Sequence, residues 1–122
     1  MATIMIVDDS GYTRRTHRRI LESAGYEVVE ASSGMAAIEG YFIHHPDLVL
    51  LDLTMEDMGG LDVLEKFREL RADARVVDIS ADVQRSTGKM VADSGALRFL
   101  GKPVTPEDLL ATVRELVEEP AS

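Results

Sequence analysis

Leu48-Val49-Leu50-Leu51-Asp52 is the stretch that decides the fold. Four successive apolar residues with no polar alternation describe a strand covered on both faces, as in a parallel sheet flanked by helices. Weaker versions of the pattern lie on either side. Thr3–Val7, Val28–Ala31, Val76–Ile79 and Arg98–Leu100 read as further short strands, which makes Leu48–Leu51 the third of five. Amphipathic stretches fill the intervals and predict helices. Arg14–Ala24 ends at Gly25, a residue suited to a left-handed cap. Met35–His44 ends before Pro46, and Leu61–Leu70 lines up Leu61, Leu64, Phe67 and Leu70. Arg85–Ser94 ends at Gly95, and Pro106–Val117 opens on Thr105 as N-cap with Pro106 at its first position. Five β-then-α units in order predict an α/β fold, a parallel sheet with helices on both faces. Right-handed crossovers leave few topologies for it.

Length and charge narrow the function classes. A chain of 122 residues can bury one core without staples. With no linker, repeat or low-complexity run, a single domain over 1–122 is expected, frayed only at Glu118–Ser122. The chain has no cysteine, which excludes disulfides and thiolate metal sites and fits a reducing cytoplasm, the expected location. No apolar run approaches the roughly 20 residues that span a bilayer, and the start lacks a basic leader. A net charge of −9 repels nucleic acid and anionic membranes, so neither is expected as a partner.

In an open parallel sheet, ligands bind beyond the carboxyl ends of the strands. The first strand runs into Asp8-Asp9, the third into Asp52, the fourth into Ser80-Ala81 and the fifth into Lys102-Pro103. If these ends converge, one pocket holds three carboxylates, a hydroxyl and an ammonium. Crowded carboxylates repel one another, and a hard divalent cation such as Mg²⁺ relieves the repulsion. An aspartate is a competent nucleophile for phosphorus, and a lysine and a metal can hold the charge that phosphoryl transfer spreads over oxygen. Taken singly, each residue has an ordinary reading. Asp8-Asp9 could be a solvated turn, Asp52 a cap, Lys102 a surface lysine, Ser80 a strand-end hydroxyl and Phe99 core packing. The set in order is what points to phosphoryl transfer.

The motifs carrying the wider resemblance are Ile6-Val7-Asp8-Asp9-Ser10, Leu48 through Leu53, Met55 with Gly60, Ile79-Ser80-Ala81, Gly95-Ala96 and Lys102-Pro103. On these the chain resembles the receiver domains of two-component systems, in particular their single-domain, CheY-like type. The resemblance spans nearly the whole chain. It implies a flavodoxin-like (βα)5 doubly wound sheet with strand order 2-1-3-4-5. It also implies that Asp52 is the phosphoacceptor and that Mg²⁺ is held by Asp9 directly, Asp8 mainly through water, Asp52, and the Thr54 carbonyl. Lys102 would pair with Asp52 at rest and with the phosphoryl group afterwards. Ser80 would bond a phosphoryl oxygen, Phe99 would turn inward with it, and the Lys102–Pro103 peptide would be cis. The donor would be a phosphohistidine on a sensor histidine kinase or phosphotransfer protein. The domain would catalyse its own phosphorylation and dephosphorylation. The change would then reshape the surface made by the fourth helix, fifth strand and fifth helix. No output domain follows within these residues, so output is expected through a downstream partner protein, with a chemotaxis or motility component the candidate by analogy.

Some residues depart from that pattern or stand outside it. Receivers commonly have Pro where Glu56 stands and Asp or Asn where Gly59 stands. Together with Asp57, these predict altered dephosphorylation kinetics. Gly88 predicts that the fourth helix is the least stable. Asp78 falls in a strand expected to be buried, and reads as a residue near an exposed strand boundary with a donor of its own, or else as a partner contact or an added coupling to the switch. Arg14, Arg15, Arg18 and Arg19 read as a solvated helix face, or else as a docking patch for an acidic donor. His17, His44 and His45 read as surface or partly packed. Three other functions compete. A degenerate receiver would not need the intact set Asp8, Asp9, Asp52, Ser80 and Lys102. An FMN binder would not open its phosphate loop with two acids. An aspartyl phosphatase of the haloacid dehalogenase type needs a second Asp where Thr54 stands.

Overall fold

Every residue of the central strand is buried, and the other elements are arranged around it. The computed structural model describes residues 2–53, 60–69, 75–81 and 97–117. Along the chain run β1 (Thr3–Val7), α1 (Gly11–Ser23), β2 (Glu27–Ala31), α2 (Gly34–His44) and β3 (Leu48–Asp52). They are followed by α3 (Gly60–Glu69), β4 (Val76–Ser80), β5 (Arg98–Gly101) and the C-terminal helix, labelled α4 (Pro106–Val117). The five strands form one parallel sheet in the order β2-β1-β3-β4-β5. This is the order that the resemblance implied, and all five strands lie where the apolar runs placed them.

Pleating sends alternate side chains to opposite faces and so builds two cores. Ile4, Ile6, Leu48, Leu50, Val77 and Ile79 pack with residues of α1 and α4. Met5, Val7, Val49, Leu51 and Val76 pack on the other side, with Ala37 of α2 and Val63 of α3. A leucine taken fully out of water contributes roughly 1.5–3 kcal/mol, and Leu48, Leu50 and Leu51 are all fully buried. The middle of the sheet is thus rigid, and the polar residues at its carboxyl edge are held on a firm support.

Caps set the helix ends. α1 starts three residues before the sequence-based boundary because the Ser10 hydroxyl accepts the Thr13 N–H at 3.3 Å. Just past its end, Gly25 takes a φ of 95°, the left-handed geometry expected of it. At α4 the Thr105 hydroxyl accepts the Asp108 N–H at 3.1 Å, as the sequence suggested. Among the described residues, no helix is long and apolar enough to cross a membrane.

Two expectations about single residues are corrected. His17 is buried, with 6% exposure, because it shares the inward face of α1 with Leu21 one turn later. Asp78 lies in the middle of β4, with 1% exposure, in register with Leu51 on one side and Phe99 on the other. It is an interior residue and not one at an exposed boundary. The expected fourth helix at Arg85–Ser94, with Gly88 and then Gly95-Ala96, lies outside the described residues. So do Thr54, Met55, Glu56, Asp57, Gly59, Leu70 and Glu118–Ser122, and the side chains of Leu61, Leu64 and Phe67.

Candidate functional site

The sheet order brings the ends of β1 and β3 side by side, with β4 and β5 next along the same edge. Asp8 follows β1, Asp52 closes β3, Ser80 closes β4 and Lys102 follows β5. One carboxylate oxygen each from Asp8, Asp9 and Asp52 lie within 4.8 Å of one another. Asp8 and Asp52 are 3% and 2% exposed, whereas Asp9 faces solvent. Two buried carboxylates and one exposed one therefore share a single opening at the rim.

Lys102 reaches into this group. Its Nζ lies 2.9 Å from Asp8 Oδ2 and 3.4 Å from Asp52 Oδ2. The resemblance paired it with Asp52 at rest. Here it spans both acids and sits nearer Asp8. Burial alone would lower the pKa of this ammonium. Its hydrogen bond to Asp8 and the charges of Asp52 and Asp8 outweigh burial and hold the pKa above the usual lysine value. The lysine backbone is fixed as well, because its N–H donates to the Ser80 carbonyl at 2.9 Å. The Lys102–Pro103 peptide is cis.

Asp8 is secured at every polar atom. Its N–H donates to the Ala31 carbonyl at 3.1 Å. Its Oδ1 accepts the Ser10 N–H at 2.8 Å, and its Oδ2 accepts from Lys102. Its main-chain carbonyl accepts from Arg14 Nη1 at 2.6 Å. The same guanidinium donates from Nε to Glu30 of β2 at 3.0 Å, and Glu30 also holds Arg18 at 2.7 Å. Hydrogen bonding from Arg18, and then from Arg14, keeps the Glu30 carboxyl below the usual range against the opposing effect of burial. Arg14 and Arg18 are thus tied to the edge strand, while Arg15 and Arg19 face solvent. The solvated-face expectation holds for only half of the cluster.

Ser80 is fully buried at the end of β4, directly in register with Gly101. Phe99 is half-buried in β5. Its neighbour Leu100 packs into the core beside α1 and α4, so strand alternation turns Phe99 to the opposite face. His17 lines a cleft beside the acidic group, together with Tyr12, Thr16, Lys102 and Val104. Burial holds its imidazole below the usual histidine pKa; the Asp8 charge opposes this and Lys102 adds to it. Sequence reasoning missed the neighbourhood of His17 and the Arg14–Glu30 contact.

Three hard oxygen donors at this spacing, with one lysine to offset three negative charges, suit a small divalent cation better than a thiolate- or imidazole-seeking metal. The family model described as "Response regulator receiver domain" matches residues 4–114. The chain belongs to that family. Among related proteins, the receiver is 37% identical over 113 residues to "Chemotaxis protein CheY" of Bacillus subtilis strain 168, covering 92% of this chain and 94% of that one. It is 35% identical to "Transcriptional regulatory protein KdpE" of Mycobacterium tuberculosis, covering 96% of this chain but 51% of that longer protein. Among solved structures, a CheY-like receiver domain from Methanospirillum hungatei matches with a TM-score of 0.87 at 30% identity, over 98% of this chain and 95% of that one. The response regulator TrrA of Thermotoga maritima, solved in complex with Mg²⁺-BeF, matches with a TM-score of 0.85 at 28% identity, over 95% and 99%.

Proposed function

We propose that this receiver is a phosphorylation-dependent signalling switch that takes a phosphoryl group onto Asp52 with Mg²⁺. The observation that carries this reading is the meeting of Asp8, Asp9 and Asp52 within 4.8 Å, with the Lys102 ammonium shared between two of them. Asp9, Asp8, Asp52 and, by the family pattern, the Thr54 carbonyl would hold the ion. Bound there, Mg²⁺ supplies positive charge to phosphoryl oxygens.

The remaining chemistry belongs to the chain. A carboxylate oxygen of Asp52 attacks phosphorus as the bond from phosphorus to the donor's imidazole nitrogen breaks. The imidazole keeps the bonding electron pair and takes a proton from solvent. Lys102 leaves Asp52 and follows the negative charge onto the phosphoryl group. In the return reaction, water attacks in line and releases inorganic phosphate. The donor is a phosphohistidine on a sensor histidine kinase or phosphotransfer protein, reaching Asp52 over the cleft between α1 and the loop after β5.

Ser80 ends the strand next to β3, and its carbonyl already anchors the Lys102 N–H. Its hydroxyl donates to a phosphoryl oxygen, and Phe99 turns inward as it does so. The surface made by the segment after β4, β5 and the C-terminal helix then changes for a partner protein. The Bacillus subtilis relative, a chemotaxis protein, makes a chemotaxis or motility component the candidate target, in the cytoplasm. Incubation with acetyl phosphate tests the proposal, with intact mass as the readout. The parent gains one phosphoryl group when Mg²⁺ is present and none with EDTA, and Asp52→Asn gains none. Equal labelling of Asp52→Asn would sink it.

A further inference from the structure

We infer that Arg14 is a positioning residue for the acidic pocket: its guanidinium fastens the Asp8 main-chain carbonyl to Glu30 on the edge strand, which fixes the turn carrying Asp8 and Asp9. This inference rests on the Mg²⁺ reading above. Asp8 and Asp9 sit between the end of β1 and the Ser10 cap of α1, outside the regular ladder. Carboxylates on such a turn can bind a cation tightly only if the backbone beneath them is held. Arg14 supplies that hold from the first turns of α1, with one N–H group on the Asp8 carbonyl at 2.6 Å and another on Glu30 at 3.0 Å. A planar guanidinium can bridge two acceptors in this way, whereas a lysine ammonium on a flexible stem cannot hold the same geometry.

Glu30 is the other half of the device. The Asp8 N–H to Ala31 carbonyl bond ties the turn to the residue after Glu30. The turn is thus held to β2 twice, once through its backbone N–H and once through its carbonyl by way of Arg14. Arg18 meets the other Glu30 oxygen, Oε2, at 2.7 Å, while Oε1 takes Arg14. Arg18 also meets Glu22 at 3.2 Å, and it does not bond the Asp8 carbonyl that Arg14 holds. This difference separates a positioning role from general fastening of α1 to the sheet.

The test measures Mg²⁺ binding by titration calorimetry with MgCl₂ alone, together with acetyl phosphate labelling at limiting and saturating Mg²⁺. Arg14→Lys keeps the positive charge at position 14, so its loss of affinity reports the broken bridge and not a changed field, whereas Glu30→Gln removes one negative charge and is read against it. Each is expected to weaken Mg²⁺ binding about ten- to a hundredfold, the usual cost of removing an outer support of a metal site. The labelling rate at saturating Mg²⁺ should stay within about twofold, since a support of this kind acts on metal affinity and leaves the transfer step intact. Arg18→Lys is the control and should leave Mg²⁺ affinity within about twofold for the same reason. Parental affinity in folded Arg14→Lys and Glu30→Gln overturns the inference, and so does an equal loss in Arg18→Lys. A parent that binds no Mg²⁺ overturns both this inference and the function it rests on; a parent that binds while the variants match it overturns this inference alone.

Discussion

Asp9→Asn should stabilise this protein without metal and handicap it with metal. Asp9 is the exposed member of the acidic cluster, and its contacts within the cluster are repulsive ones with Asp8 and Asp52 at up to 4.8 Å. At that separation each repulsion costs about 0.9 kcal/mol in bulk water and about 3.5 kcal/mol at an effective dielectric of 20. An exposed group lies near the watery limit, and the Lys102 ammonium shared by Asp8 and Asp52 offsets part of the repulsion, so the change should contribute roughly 1 kcal/mol of stability. For a domain of this length each kcal/mol raises Tm by roughly 3–6 °C. With Mg²⁺ the order reverses. An ion a hundredfold above its Kd stabilises the parent by about 2.7 kcal/mol, and the variant, with a ligand missing, gains much less. Urea unfolding of both proteins in EDTA and in excess MgCl₂ gives the four midpoints needed. A variant less stable than the parent in EDTA, or one with the full Mg²⁺-induced shift, would refute the electrostatic account of the pocket.

Two further predictions concern the scaffold. Burial keeps the His17 imidazole below its usual pKa, so the unfolded chain binds a proton there before the folded chain does. Stability is therefore intact above about pH 6.5 and falls as pH drops below it, by no more than about 1.4 kcal/mol per pH unit for one proton. Chemical unfolding from pH 8 to pH 5 should show a shallower fall in His17→Leu than in the parent, and parallel curves would contradict the burial argument. Gly25→Ala should lose about 1–2 kcal/mol, read as a lower urea midpoint, because φ is 95° there while the space around the new methyl is open. An unchanged midpoint would show that the turn after α1 can relax.

The sheet was legible because its strands are short apolar runs buried on both faces, and β3 is the plainest case. The ends of β3 and β4 were drawn one residue short because Asp52 and Ser80 are polar. They belong to the strands nonetheless: Asp52 pairs in register with Ile79, and Ser80 with Gly101. The meeting of Asp8, Asp9, Asp52 and Lys102 could be anticipated because a parallel sheet delivers every strand's carboxyl end to one edge. Arg14 and Glu30 could not be paired in this way, since an arginine among four on a helix reads as a solvated face until the edge strand is in place. His17 did leave a signal. It stands four residues before Leu21 on the core face of α1, and that spacing outweighs its polarity. Asp78 remains the residue in which sequence and environment agree least, a carboxylate within a fully buried strand.

The central claim is chemical, so the most direct measurement locates the new bond. Borohydride reduces an aspartyl phosphate to homoserine, and mass-spectrometric peptide mapping then reads the modified position. After phosphorylation in Mg²⁺ and reduction, the account predicts homoserine at position 52 and its loss when EDTA replaces Mg²⁺. Homoserine at position 8, 9 or 78 in place of 52, or at position 52 to the same extent without the metal, would contradict it.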